Sequence, residues 1–203
     1  MIGHTLGIWS QNVRATANVQ REFLRWADVA RVNIVAVQDT CDITGNPIIQ
    51  TPDLPTEPTY TSVRKVNFQT KVQPQLAFRG YHLASEHGLS QRVCFYVRRD
   101  LAIKDWSCIV HNDLLSSLTI QTQNGVTHIH NIYNAGKKIN MDLLESLLLQ
   151  EGEHIFLGDW NLHDKWWGGK QAKNKACAKS RRLHHMFRYE YEMILLTPQE
   201  SQT

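Results

Sequence analysis

Cysteines are few in this sequence and long apolar runs are absent, and both shortages limit what the protein can be. The four cysteines are Cys41, Cys94, Cys108 and Cys177. They show no close pairing of the kind found in zinc and redox motifs. No stretch approaches the apolar length that crosses a bilayer, and the first residues have neither the basic start nor the apolar run of a signal peptide. We therefore expect a protein of the reducing intracellular environment with no membrane partner.

Acidic residues are missing from one segment of the chain. The net charge is only +3, but residues 165–188 contain eight Lys or Arg and no Asp or Glu. Lys175, Lys179 and Arg182 recur at helical spacing, which predicts an amphipathic helix with a basic face. The apolar face of that helix would consist of Leu183, Met186 and Phe187. The basic face could contact a phosphate backbone or simply be solvated. Its position next to the polar segment at residues 154–169, a candidate catalytic loop, favours contact with nucleic acid.

The length and composition predict one globular domain over residues 1–203. The chain is 42% hydrophobic and 20% charged, which is ordinary for a protein with a core. Strand patterns at residues 5–13 and 33–38 enclose a helical pattern at residues 17–32, which indicates an α/β fold. Residues 40–58 hold four of the six prolines and predict a long loop.

The rest of the chain adds strands and two helices. A hairpin turn is predicted at Gln123-Asn-Gly125, and Asn140 is expected to cap a helix that runs to Gln150. The buried stripe of that helix would be Leu143, Leu144, Leu147 and Leu148. The predicted strands are residues 93–97, 106–110, 115–122, 126–133 and 155–157, with a further strand beginning at 193–196.

The most informative segment is residues 154–169. A short apolar strand ends at Gly158, and Asp159 and Asn161 follow two positions apart. On an extended chain such residues point the same way, so both side chains can reach one cleft. A Gly-Asp-x-Asn sequence can also be only a turn, because Asp and Asn bond their own backbone there.

Three other strand ends carry polar residues of the same kind. Asn12 closes the first strand, Asp39 follows the second, and Tyr133 and Asn134 close a later one. Each alone has a structural explanation, since Asn and Asp often end strands and Tyr often packs at sheet ends. Their occurrence in order, each at a strand end, favours a shared site.

These motifs carry a resemblance to a known family. The series Gln-Asn-Val, Val-Gln-Asp, Asn-Ile-Tyr-Asn and Leu-Gly-Asp-Trp-Asn-Leu-His-Asp-Lys-Trp-Trp-Gly-Gly resembles the endonuclease/exonuclease/phosphatase superfamily. More narrowly, it resembles the apurinic-type endonuclease domain of LINE-type, non-LTR retrotransposons, particularly fungal ones. The resemblance covers about residues 6–197, and Gly-Asp-x-Asn is its specific part.

The resemblance implies a fold and a set of roles. The fold is a DNase I-like, two-layer β-sandwich flanked by helices. Asn12 and Asp39 would hold Mg²⁺, with Mn²⁺ as a substitute and no small-molecule cofactor. Tyr133 would support the scissile phosphate of DNA, Asp159 would activate the attacking water, and Asn161 would stabilise the oxyanion. Contacts with nucleic acid are predicted for Asn134, Lys175, Lys179 and Arg182. A DNA substrate would place the protein in the nucleus.

The sequence departs from the family pattern at two points. The metal-binding acid is usually Glu, whereas here it is Asp39. The family also ends with strands that carry a Ser-Asp-His motif, and no such motif follows Asp159. We therefore expect a C-terminally truncated, impaired endonuclease with an unpaired sheet edge. Two alternatives stay open. One is a non-catalytic remnant that binds nucleic acid or protein through the basic helix and the loop that contains Trp160, Trp166 and Trp167. The other is a fragment without function.

Overall fold

The computed structural model describes residues 6–40, 60–63, 75–76, 92–98, 101–168, 172 and 176–196. The chain divides into two compact units. The first contains Met1–Tyr133 and Glu151–Asp159, and the second contains Asn134–Gln150 and Trp160–Thr203. The single domain over residues 1–203 stays a prediction, and the predicted loop beyond residue 40 lies outside the described residues.

The first unit begins with a five-stranded sheet. Its strands are β1 (Ile8–Asn12), β2 (Ile34–Gln38), β3 (Tyr60–Val63), β4 (Gln75–Leu76) and β5 (Val93–Arg98). Their order is β1-β2-β5-β3-β4; β1 and β2 are parallel, and the other pairs are antiparallel. Helix α1 (Ala17–Val29) connects the parallel pair. It ends three residues earlier than predicted, because Arg31 turns the chain with a φ of 53°.

A four-stranded sheet completes the first unit. Its strands are β6 (Trp106–Asn112), β7 (Leu115–Thr122), β8 (Gly125–Tyr133) and β9 (Glu153–Asp159), in that order. Only the pair β8–β9 is parallel in this sheet. Strands β7 and β8 form the predicted hairpin, with Gln123 and Asn124 as its two-residue turn.

The two sheets pack face to face through alternate residues of their strands, as expected for a β-sandwich. The buried core between them consists of Ile34, Ala36, Phe95, Val97, Trp106, Cys108, Val110, Leu118, Ile120 and Ile129. On the other face of the first sheet, Leu24 and Ala27 of α1 pack against Val35, Val37 and Tyr96. Each fully buried large apolar side chain contributes about 1.5–3 kcal/mol by leaving water.

A polar bridge also crosses the sandwich. Gln38 and Asn131 are both buried, and the Gln38 amide donates to Asn131 Oδ1 at 2.6 Å. Asn131 Nδ2 donates to the carbonyl oxygens of Val37 and Cys94 at 3.1 and 2.9 Å. Buried polar groups with satisfied hydrogen bonds specify one arrangement of their neighbours. The bridge therefore holds the C-terminal part of β2 against β8.

Three helices are described in the second unit. They are α2 (Met141–Leu148), α3 (Lys165–Gly168) and α4 (Ala178–His185). The predicted cap of α2 is confirmed, because Asn140 accepts from the backbone of Asp142 and Leu143 at 3.0 and 3.2 Å. Its buried residues are Met141, Leu144 and Leu147, so Leu143 and Leu148 were wrongly placed in the stripe.

The predicted amphipathic helix is present as α4, which begins at Ala178 and continues into a π-helical turn, Met186–Glu190. The predicted apolar face of α4 is confirmed by the burial of Leu183, Met186 and Phe187. The strand predicted to begin at residues 193–196 was wrong, because these residues form no strand. Ile194 and Leu196 are 83% and 79% exposed there. None of the helices described here is long and apolar enough to cross a membrane.

Candidate active site

Four of the predicted site residues lie at strand ends in the first unit. Asn12 ends β1 and is paired in register with Gln38, after which comes Asp39. Tyr133 and Asp159 end β8 and β9 and are paired with each other. Because both pairs are parallel, the carboxyl ends of all four strands carry these side chains. The structure brings Asn12, Asp39, Tyr133 and Asp159 together at one end of the sandwich.

A direct hydrogen bond joins the two sheets at this end. Asn12 Nδ2 donates to Asp159 Oδ2 at 2.6 Å, and Asn12 Oδ1 accepts from the backbone nitrogen of Arg14 at 2.9 Å. The second bond orients the amide so that its nitrogen faces the carboxylate. Asn12 therefore holds Asp159 in a defined position.

Gly158 allows Asp159 to reach this position. It has a φ of 129°, and a Cβ added there would lie 2.0 Å from the carbonyl oxygen of Ile132. Both the backbone conformation and the close approach of β8 require glycine. The glycine of Gly-Asp-x-Asn is thus a packing requirement of the β8–β9 pair.

Arg92 links two of the predicted residues and was missed in the sequence. Its Nη2 donates to Asp39 Oδ1 and lies 3.5 Å from the Tyr133 hydroxyl. Its Cζ lies 4.6 Å from the centre of the Tyr133 ring, a cation–π contact. The only possible signal was an arginine directly before β5, which sequence periodicity does not distinguish from a surface residue.

Asp39 reaches Arg92 through an unusual backbone conformation. Its φ is 50°, a left-handed value that Asp tolerates better than most residues. The Asp39 carbonyl oxygen accepts from Ala15 N at 2.7 Å, which stabilises the turn that follows β2. The carboxylate is therefore placed by the backbone rather than by strand geometry alone.

Tyr133 lies between several charged groups. Burial raises the pKa of its phenol; the Asp39 and Asp159 carboxylates add to the increase, and the Arg92 guanidinium opposes it. The phenol is consequently neutral at physiological pH and keeps its proton for donation. Because both carboxylates act on one phenol, they belong to one electrostatic site.

The donor set of this site fits Mg²⁺. The described residues hold no group of three or more His, Cys, Asp or Glu that could bind a metal ion. The oxygen donors here are instead two carboxylates, Asp39 and Asp159, and the Asn12 amide. Mg²⁺ takes oxygen ligands, keeps several waters and needs only one or two carboxylates. Arg92 shares the Asp39 carboxylate, whose lone pairs can serve more than one partner.

The other predicted residues belong to the second unit or lie outside the described residues. Asn161 is exposed and has a φ of 47°. Asn134 is fully buried, donates to Trp160 O at 2.7 Å and accepts from Ile139 N at 2.8 Å. These bonds give Asn134 a structural role in its loop, and its contact with nucleic acid stays a prediction.

The predicted basic face has intramolecular contacts. Lys179 Nζ donates to Ile139 O at 3.2 Å, and Arg182 pairs with Asp142 at 3.2 Å. The pair with Asp142 is largely exposed, so little energy holds it together. Lys175 lies outside the described residues.

An Asp–His pair lies within the second unit. His184 Nδ1 lies 3.0 Å from Asp164 Oδ1, and the two side chains are 11% and 4% exposed. The His184 ring stacks on Trp166 at 5.2 Å with planes 9° apart, and on Tyr189 at 5.8 Å. Sequence patterns gave no indication of this pair, and the structure makes His184 part of a packed aromatic cluster.

Comparisons with known proteins define the fold. No protein-family description matches this sequence, and no curated protein matches it either. Among solved structures, the endonuclease domain of TRAS1, a telomere-specific non-LTR retrotransposon, is 16% identical with a TM-score of 0.55. The alignment covers 88% of this chain and 69% of that one.

Two further structures are more distant. An endonuclease/exonuclease/phosphatase family protein from Leptotrichia buccalis is 15% identical, covering 84% of this chain and 71% of its own, with a TM-score of 0.44. Humanized D. rerio TDP2 with 14 mutations is 13% identical, covering 85% and 68%, with a TM-score of 0.38. The likeness to the TRAS1 domain confirms the predicted fold class, and the chain has a DNase I-like α/β fold.

Proposed function

We propose that this protein is a Mg²⁺-dependent DNA endonuclease domain of the retrotransposon type. The observation that carries the proposal is the meeting of Asn12, Asp39, Tyr133 and Asp159 at one end of a DNase I-like sandwich. Two acids, an amide and a neutral phenol match the needs of phosphodiester hydrolysis. DNA as the substrate is supported by the description of the TRAS1 domain as a retrotransposon endonuclease.

Each residue has a proposed role. Asp159, oriented by the Asn12 amide, aligns the attacking water and accepts its proton. The Tyr133 phenol donates a hydrogen bond to a phosphate oxygen, and the Asn161 amide stabilises the charge that develops in the transition state. A Mg²⁺ held by Asn12 and Asp39 would neutralise charge on the phosphate when bound.

We also propose that hydrolysis is slow. Asp39 is one methylene shorter than the usual Glu, so it reaches a metal ion less easily.

Nicking of supercoiled plasmid tests the proposal. The purified protein is incubated with Mg²⁺ or with EDTA, beside an Asp159→Asn variant. We expect slow, Mg²⁺-dependent conversion to the open circle by the wild type and none by the variant. Equal conversion by both proteins would reject an endonuclease role for this site.

The alternative proposal is a domain that binds nucleic acid or protein without cleaving DNA. The basic face and the Trp166–Trp167 pair suggested it. Its support is weaker, because Trp167 Nε1 donates to Leu162 O at 2.8 Å and Lys179 is bonded within its own unit. Salt-sensitive DNA binding without any nicking would select this alternative. An intracellular, nuclear location is proposed with either function.

A further inference from the structure

Arg92 is a partly exposed cation in contact with two residues of the site. Its side chain is 37% exposed, whereas that of its partner Asp39 is 13% exposed. One guanidinium nitrogen serves Asp39 and lies near the Tyr133 hydroxyl, and the guanidinium carbon sits over the Tyr133 ring. A guanidinium carries five N–H donors. The contacts with Asp39 and Tyr133 involve only Nη2, so the group can serve an additional acceptor.

The backbone of Arg92 is held on both sides. Its nitrogen donates to Asp113 O at 2.8 Å, and its carbonyl oxygen accepts from Thr40 N at 3.2 Å. Thr40 directly follows Asp39, so the ion pair and the backbone bond join the same two segments. The backbone bonds hold the base of the side chain, and the contacts with Asp39 and Tyr133 hold its guanidinium. Arg92 therefore loses little side-chain freedom when it binds an anion.

We propose that Arg92 binds a phosphate group of the DNA and that Asp39 is its counter-ion in the unbound protein. A divalent metal ion held by Asp39 would compete with the guanidinium for the same carboxylate. The guanidinium donors that Asp39 and Tyr133 do not use bind the phosphate, with or without the metal ion. The identity of the anion rests on the proposed function.

Loss of Arg92 should change metal binding and DNA binding in opposite directions. Without the guanidinium, Asp39 has no competing cation, so a divalent metal ion binds more tightly. Without the same guanidinium, the phosphate loses a charge-assisted hydrogen bond, so DNA binds more weakly. A residue with only a structural role would weaken both interactions when removed.

Two binding measurements on Arg92→Ala test the inference. Affinity for Mn²⁺ is measured in the absence of DNA by the loss of the free-ion paramagnetic resonance signal. Affinity for a short DNA duplex is measured in EDTA by fluorescence anisotropy at several salt concentrations. Arg25→Ala is the matched control, because Arg25 is an exposed arginine of the same unit that also lies over an aromatic ring, that of Trp26 at 6.0 Å.

The expected changes have opposite signs. Arg92→Ala should bind Mn²⁺ about two- to fivefold more tightly, as expected from loss of a partly exposed ion pair. It should bind the duplex about tenfold more weakly, with a salt slope smaller by about one. Arg92→Lys keeps the charge but not the planar fork, and should fall between the wild type and Arg92→Ala in both measurements.

Other outcomes would overturn the inference. Duplex affinity equal to that of Arg25→Ala, or weaker Mn²⁺ binding by both Arg92 variants, would reject it. Thermal melts identify a misfolded variant, in which case Arg92→Lys alone decides. The nicking assay separates this result from the proposed function. If Arg92→Ala binds Mn²⁺ more tightly and DNA more weakly, but the wild type does not nick plasmid, the inference stands and the enzymatic function is rejected. If the wild type nicks plasmid and Arg92→Ala binds the duplex as the wild type does, the enzymatic function stands and the inference is rejected.

Discussion

Asn12 and Asp159 are 147 positions apart in the sequence, and their side chains form a hydrogen bond of 2.6 Å. The bond joins the end of β1 in the first sheet to the end of β9 in the second. It restricts the rotation of the Asp159 carboxylate, and it uses the same residues that the sequence motifs single out. The contact between the sheets and the geometry of the site therefore depend on each other.

Replacement of Asn12 by alanine should damage the site more than the fold. We expect Asn12→Ala to lower the nicking rate by about 10²-fold, because the amide that orients Asp159 is lost. The free energy of unfolding should fall by about 1–2 kcal/mol for a hydrogen bond to a charged group. Nicking assays and urea unfolding measure the two effects. Asn18→Ala, at an exposed position of α1, is the control; Asn12→Ala nicking at the control rate would contradict the prediction.

Gly158 and Gly125 form a matched pair for testing close packing at the site. Both have a φ near the same value, 129° and 126°, but only Gly158 has a backbone oxygen, that of Ile132, within 2.0 Å of an added Cβ. Gly125→Ala should lower the free energy of unfolding by about 1–3 kcal/mol through backbone strain alone. Gly158→Ala should lower it clearly more, because β9 must also move away from β8. Urea unfolding of both variants checks this, and equal losses would show that the close approach is unimportant.

The Gln38–Asn131 bridge should contribute to stability through its buried polar atoms. Asn131→Leu leaves the Val37 and Cys94 carbonyl oxygens and the Gln38 amide without this partner. We expect the free energy of unfolding to fall by about 2–4 kcal/mol, since each of the three lost hydrogen bonds contributes about 0.5–1.5 kcal/mol.

A double-mutant cycle isolates the Gln38–Asn131 bond. The variants are Gln38→Met, Asn131→Leu and the pair together, each measured by urea unfolding. The double variant should lose less stability than the sum of the single losses. Additive losses would mean that the two amides act independently.

A buried histidine should make the fold sensitive to acid. His130 is fully buried, its Nδ1 lies 2.7 Å from Ser117 Oγ, and its Nε2 lies 3.1 Å from His154 Nδ1. Burial, together with the neighbouring His154, His128 and His111, lowers the pKa of His130 to about 2. In the unfolded chain the same histidine titrates near its ordinary pKa of about 6.5.

Stability should therefore be complete above about pH 6.5 and decline as the pH falls from there towards the folded pKa of about 2. Between these values the unfolded chain binds a proton that folded His130 does not, which costs about 1.4 kcal/mol per pH unit. Urea unfolding from pH 7.5 to 5 measures the slope. His130→Gln should reduce it, whereas His163→Gln, at an exposed position, should not. An unchanged slope in His130→Gln would assign the acid sensitivity to other groups.

Much of the local structure could be predicted from the sequence because its causes are local. The strand-like run of β7 and the turn residues Gln123 and Asn124 define the hairpin without help from other strands. Asn140 caps α2 by accepting hydrogen bonds from the backbone nitrogens of Asp142 and Leu143, only two and three positions later. The strand ends at Asn12, Asp39, Tyr133 and Asp159 also follow from short patterns.

Where prediction failed, local pattern was a poor guide to the tertiary environment. Residues 193–196 are apolar enough for a strand, but a strand also needs a neighbour that accepts its hydrogen bonds. Lys175 has helical spacing with Lys179 and Arg182, yet α4 begins only at Ala178, where Cys177 and Ser180 exchange capping bonds. Spacing cannot reveal whether a segment has such partners.

The sequence by itself determined which polar residues stand at the ends of strands, because strand length and side-chain alternation are properties of short segments. Only the tertiary structure decided that these ends meet. The register of two parallel strand pairs, the glycine contact of Gly158 and the buried Gln38–Asn131 bridge set the separation and orientation of the site residues. Arg92 belongs to the site for the same reason: its partners Asp39 and Tyr133 are 53 and 41 positions away. Contacts over such separations are formed by packing of the two sheets and leave no periodic trace in the sequence.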